Sequence, residues 1–172
     1  MMSKFGYRAC LGLAALVSSG LLIGQAAGAE TQAAIHVDVP VVLKQAKVVF
    51  NMDAAPPANG MPISLKHMMM MTDFFKKNGT KWTMVAVFAG PGGDMLLSDE
   101  KYNQAKWTKT GNPYKGLISK LVARGVQVEE CAVTMKANGW TNKDLLPIAK
   151  VDGGGEVRLV ELVQKGYVQM QR

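Results

Sequence analysis

The run Trp82-Thr83-Met84-Val85-Ala86-Val87-Phe88 is the strongest constraint in this 172-residue chain. It is nearly all apolar and shows no alternation of apolar and polar positions. A strand with one wet face alternates, so a strand without alternation must be covered on both faces. Parallel sheets with helices packed on each side meet that requirement. Gly90-Pro91-Gly92-Gly93 follows almost at once and stops the strand.

Similar signals recur along the chain. Residues 46–51, 126–130, 148–151 and 167–170 are short strand candidates. Between them lie helical patterns. Residues 63–77 carry Leu65, Met68, Met69 and Thr72 at helical spacing, and Asn78-Gly79 ends them. A short helix is expected near residues 97–102. Residues 113–123 follow Asn112, a good N-cap, with Pro113 in the first turn. A helix from about Cys131 ends at Asn138-Gly139, and Thr141 caps a short turn that carries Asp144. Gly153-Gly154-Gly155 precedes a last helix over residues 156–165. Strand and helix in alternation predict an α/β fold with a largely parallel, five-stranded sheet. Residues 30–45, with Val-rich 35–43 and Pro40, read as an N-terminal arm or an edge strand.

Residues 1–29 have a different character. Lys4 and Arg8 make a positive start, residues 9–24 are uncharged and mostly apolar, and Ala27-Gly28-Ala29 is a small-x-small cleavage site. This predicts a secretory signal peptide, with the protein periplasmic or secreted after cleavage. The apolar stretch is short for a span of about 20 residues, so no stable membrane insertion is expected after cleavage. Cleavage would remove Cys10 and leave Cys131 as the one cysteine of residues 30–172. A solitary thiol in an oxidising compartment marks itself out.

Composition excludes several classes. At 48% hydrophobic and 19% charged, the chain is globular rather than disordered. The net charge of +7 is spread over separated lysines without an aromatic-interleaved stripe, so no nucleic-acid partner is expected. The two histidines, His36 and His67, provide no metal-ligand spacing and no Ser-His-Asp set. No cofactor is expected.

Cys131 is the leading chemical candidate. It stands at the carboxyl end of a strand entering a helix, where open α/β sheets bind ligands. Helix N–H groups there would stabilise a thiolate or a persulfide anion. Glu129 and Glu130 oppose this by placing carboxyls beside the thiol. The plain alternative is a buried, inert cysteine. Gly90, Gly92 and Gly93 could wall a pocket near Cys131, with Tyr114 and Trp140 lining it. In Lys66-His67-Met68-Met69-Met70-Met71, residues His67, Met70 and Met71 share one helix face. Thioethers favour Cu(I), although methionines more often fill cores and subunit interfaces. The alternative function is therefore an oligomeric small-ligand or Cu(I)-binding module with a structural cysteine.

Several segments together resemble one family. They are Asn112-Pro113-Tyr114-Lys115-Gly116-Leu117-Ile118, then Gly125-Val126-Gln127-Val128-Glu129-Glu130-Cys131-Ala132-Val133-Thr134-Met135, then Asp144-Leu145-Leu146-Pro147 and Gln164-Lys165-Gly166-Tyr167. They resemble the DsrE/DsrF-like family, over residues 46–170, with the domain taken as residues 46–172. The resemblance implies a flavodoxin-like, three-layer sandwich and a homotrimer or hexamer. It implies at most a sulfur carrier or transferase, with persulfide on the residue at Cys131 and a sulfur donor or acceptor protein as partner. After the cysteine, Met135-Lys136-Ala137-Asn138-Gly139 lacks the arginines common in cytoplasmic relay relatives.

Overall fold

The computed structural model describes residues 35–57 and 60–171. The expected leader, with Cys10 and the Ala27-Gly28-Ala29 site, lies outside them. The chain divides into two units, Met1–Val39 and Pro40–Arg172. In the first unit the described residues are exposed, and His36 Nε2 stands 3.4 Å from Asp38 Oδ1.

Among its described residues the second unit holds five strands and five α-helices. In chain order they are β1 (Gln45–Met52), α1 (Ile63–Lys77), β2 (Lys81–Phe88), α2 (Asp99–Lys106), α3 (Lys115–Ala123), β3 (Gln127–Cys131), α4 (Ala132–Ala137), β4 (Lys150–Asp152), α5 (Gly155–Gln164) and β5 (Val168–Gln171). The strands form one sheet in the order β4-β3-β2-β1-β5, and every pairing is parallel. This is the expected five-stranded α/β fold, flavodoxin-like in arrangement. Among the described residues, no helix is long and apolar enough to cross a membrane.

The central strands bury both faces, as the apolar run at residues 82–88 requires. Val48, Phe50 and Met52 of β1, Met84, Ala86 and Phe88 of β2 and Val128 of β3 join one core cluster. The helices supply Leu65, Met68 and Phe75 from α1, Ile118 and Leu121 from α3, and Met135 from α4. The intervening positions Val49, Val85 and Val87 point the other way and meet Leu159 and Leu162 of α5. Each such side chain contributes about 1.5–3 kcal/mol when fully buried.

At three places the structure chooses between or departs from the sequence expectations, and the edge strand is the first not to form. Residues 35–44 contain neither helix nor strand. The Leu43 and Lys44 carbonyls instead accept hydrogen bonds from the Thr80 hydroxyl (2.8 Å) and the Lys81 N–H (3.0 Å). The glycine stretch after β2 continues as a 3-10 helix, Gly90–Leu96, and the short helix expected near 97–102 runs over Asp99–Lys106, capped by the Ser98 hydroxyl. Helix α3 starts at Lys115 rather than Pro113, because Asn112 has another task. Its side-chain amide donates to the carbonyls of Met95 (2.9 Å) and Leu97 (2.6 Å), while its oxygen accepts from the Tyr114 N–H (2.9 Å).

Asn112 is buried and makes all three bonds with backbone groups. Replacing it with Ala would orphan two carbonyls and one N–H. The Asn112→Ala variant is expected to lose about 2–4 kcal/mol of stability, measured by urea unfolding. A loss below 0.5 kcal/mol would show that the clamp does not matter.

Candidate functional site

Cys131 ends β3 and at the same time precedes the first turn of α4. Residues alternate along β3, so Val128 and Glu130 face the helices α1–α4, while Glu129 and Cys131 face α5. The Cys131 thiol is 2% exposed. Its Sγ accepts a hydrogen bond of 3.1 Å from the backbone N–H of Gly155, the first residue of α5. A side chain there would be tightly packed. A Cβ at Gly155 would stand 3.0 Å from Ala89 Cβ and 3.5 Å from Cys131 Cβ. The bare backbone is what lets the start of α5 reach the sulfur.

The two glutamates that precede Cys131 are neutralised in different ways. Glu129, 3% exposed, is gripped by Arg158 of α5 through two parallel bonds, Nε to Oε2 at 2.7 Å and Nη2 to Oε1 at 2.9 Å. Such a fork is the strong form of a charge-assisted pair. Arg158 also reaches Glu161 at 2.6 Å, and Gln127 donates to Glu129 Oε1.

Glu130 has no counter-charge. It is fully buried, and among the described residues no donor meets either carboxyl oxygen at good hydrogen-bond geometry, the Cys131 N–H lying only near enough to act weakly. Burial pushes its pKa up to about 9, aided by Cys131, Asp152 and Asp94, with a small offset from the Cys131 backbone N–H. Glu130 is therefore a neutral acid at physiological pH. Its carboxyl is seated on Gly93, where a Cβ would lie 2.4 Å from Oε1. Gly92 is more constrained still, since a Cβ would stand 1.8 Å from the Met52 carbonyl oxygen.

Asp152, which the sequence reading did not select, belongs to the same cluster. It is the register partner of Cys131 across the β3–β4 pair. Its Oδ1 accepts from the Gly154 N–H at 2.8 Å, and its Oδ2 is buried without a partner. Burial raises its pKa above the usual aspartate value, with Glu129 and Glu156 adding to the rise; the Gly154 N–H and Arg158 oppose it. The sequence signal was faint: one Asp at a strand end before three glycines.

The other expected site residues gather on the α1–α4 side of the sheet, opposite the face that holds the sulfur. Gly90 touches the α4 side through its N–H, which donates to the Thr134 hydroxyl at 2.7 Å. Gly92 and Gly93 lie under Met52 and Glu130, and Tyr114 is buried in the α1–α4 core with its ring edge on Tyr102. Trp140 packs against that same core and borders a shallow hollow with Asp94, Lys101 and Lys106. Neither aromatic lines the sulfur. On α1, Met70 is exposed, while His67 and Met71 are half-buried. Met71 also borders a groove of about 520 Å³ with Leu43, Val48, Phe75 and Met170, away from Cys131. Among the described residues, no group of three His, Cys, Asp or Glu is placed to hold a metal.

A family model described as the DsrE/DsrF-like family matches residues 33–171. The fold is similar to that of a protein of unknown function, MTH1491 from Methanobacterium thermoautotrophicum, with a TM-score of 0.58 and 20% identity; the match covers 74% of this chain and 99% of that one. It is also similar to the YchN protein of E. coli, with a TM-score of 0.51, 14% identity and the same coverage of 74% and 99%. At those identities the likeness is one of fold. No curated protein matches the chain.

Glu130 gives the fold a pH dependence of known sign. The folded state keeps a proton that the unfolded chain releases above pH 4.5, the ordinary value. Stability is therefore full below that pH and falls as pH rises towards about 9, by about 1.4 kcal/mol per pH unit at most. Glu130→Gln cannot ionise. Urea unfolding from pH 5 to 9 is expected to show the slope in wild type and a much flatter line in the variant; parallel lines would contradict a neutral buried Glu130.

Proposed function

Because the chain belongs to the DsrE/DsrF-like family, a family of sulfur-relay type, we propose that it is a sulfur carrier that holds sulfane sulfur as a persulfide on Cys131 and hands it to a partner protein. The observation that supports this most is the Gly155 N–H aimed at Sγ over 3.1 Å, at the carboxyl end of a parallel strand. A backbone donor fixed on a sulfur favours an anion on that sulfur, whether thiolate or persulfide. With Glu129 paired to Arg158 and Glu130 protonated, the flanking carboxyls do not oppose that anion with free charge. Cys131 is buried, with the Gly155 backbone against its sulfur, so a donor must gain access to a covered thiol. On this reading the leader at residues 1–29 is cleaved and the carrier works in the periplasm or outside the cell.

Intact-mass measurement after incubation with polysulfide tests the carrier role. The expected result is an adduct of about 32 Da, one sulfur atom, on wild type and none on Cys131→Ser. Absence from wild type, or the same adduct on the variant, overturns the reading.

The homo-oligomer belongs to the same proposal. Helix α5 buries Leu159 and Leu162 against the sheet, yet turns Val157 (76% exposed), Val160 (57%) and Val163 (45%) outward, and Val133 of α4 is exposed as well. A valine stripe on a helix that already has a buried face marks an association surface. A second copy of the chain is the occupant. Light scattering is expected to find an assembly larger than a monomer, and the double variant Val157→Glu, Val160→Glu is expected to be monomeric and folded. A wild-type monomer would remove this part of the proposal.

A further inference from the structure

We propose that Asp152 is the proton-carrying partner of Cys131, taking the thiol proton during sulfur transfer and returning it to the departing donor. The inference rests on the carrier reading and adds a residue and a donor class to it.

Three observations place Asp152 in this role. Cys131 and Asp152 are register partners on adjacent parallel strands, which lie about 4.8 Å apart, with paired side chains on one face. Both are tied to the same glycine segment: Gly154 N–H to Asp152 Oδ1 at 2.8 Å, and Gly155 N–H to Cys131 Sγ at 3.1 Å. The second carboxyl oxygen, Oδ2, is buried and unpartnered on a residue only 9% exposed. A buried acceptor left without a donor is costly, and a functional role is one recognised reason for a fold to keep it. One oxygen is thus anchored and the other is free to bind a proton.

The charged groups around Asp152 fit that task. Glu129 and Arg158 neutralise each other beside it, Glu156 faces it from α5, and Glu130 lies across the sheet as a neutral acid. Burial favours the protonated form of Asp152 over that of an ordinary aspartate, which brings its proton affinity closer to that of a thiol.

The step balances with a hydropersulfide donor, R–S–SH. As the Cys131 sulfur attacks the outer sulfur of the donor, its proton passes to Asp152 Oδ2. The Sγ–S bond forms and the donor S–S bond breaks, leaving its electron pair on the donor's inner sulfur. That sulfur takes the proton from Asp152 and leaves as R–SH, while the outer sulfur keeps its hydrogen. The products are Cys131–S–SH and R–SH, and no oxidant or reductant is consumed.

The test is single-turnover persulfidation with glutathione hydropersulfide, read by intact mass from pH 5 to 9. Asp152→Asn keeps an oxygen to accept the Gly154 N–H but cannot carry the proton. It is expected to react about 100-fold more slowly near neutral pH, the lower end of the range for general acid–base assistance. The deficit should shrink as pH rises, because hydroxide can then take the proton that the carboxylate would otherwise accept. Asp152→Glu restores the carboxyl and is expected to react faster than the Asn variant at neutral pH. Equal rates and one pH profile for wild type and Asp152→Asn would overturn the inference and leave the carrier reading intact. A Glu variant slower than the Asn variant would also overturn it. No adduct on wild type would bring down the carrier reading itself.

Discussion

The second face of the sheet decides the rest of this structure. Strands β1 and β2 carry Val49, Val85 and Val87 on the side opposite the main core, and those valines must leave water. Helices α1 to α4 cannot cover them, because β1, β2, β3 and β4 add in one direction and right-handed crossovers keep the intervening helices on one face. The chain returns from β4 to β5 in the opposite direction across the sheet. The same handedness then puts α5 on the other face, over β1 and β2. Covering those valines brings the first residue of α5 onto the Cys131 sulfur. The Gly155 contact is thus a consequence of the topology, made possible by a missing Cβ.

The electrostatics of the sheet's carboxyl end follow from the same packing. Three acidic residues, Glu129, Glu130 and Asp152, sit in a region with little solvent. Each meets burial differently. Glu129 faces α5 and finds Arg158 there. Glu130 faces the main core, finds no cation and keeps its proton. Asp152 is held by one oxygen at the glycine segment. Adjacent residues on one strand thus solve the same desolvation problem by opposite means, because the pleat sends them to opposite faces.

Much of the fold was legible because the signals were local. Hydrophobic runs, glycine stops and the Thr141–Asp144 capping pair act over a few residues, and the capping pair forms as expected. Helix α1 spans the expected residues 63–77. Asn112 does a second task that its neighbours in the chain do not announce, beside accepting the Tyr114 N–H. Its type suits an N-cap, but its amide is drawn to the Met95 and Leu97 carbonyls, 17 and 15 residues earlier in the chain. Tyr114 and Trp140 could not be assigned to a face of the sheet from their spacing, and both pack on the main core rather than beside the sulfur.

The sequence by itself determined that the sheet would be parallel and covered on both sides, since an unbroken apolar strand has no other way to leave water. It also determined that one thiol would stand where a strand gives way to a helix. Only the tertiary structure decided what that thiol meets. Gly155 and Asp152 lie more than 20 residues beyond Cys131 and reach it through a register between strands and a crossover onto the far face. Neither relation has a periodicity or motif to announce it, because both are set by packing between distant segments rather than by neighbours along the chain.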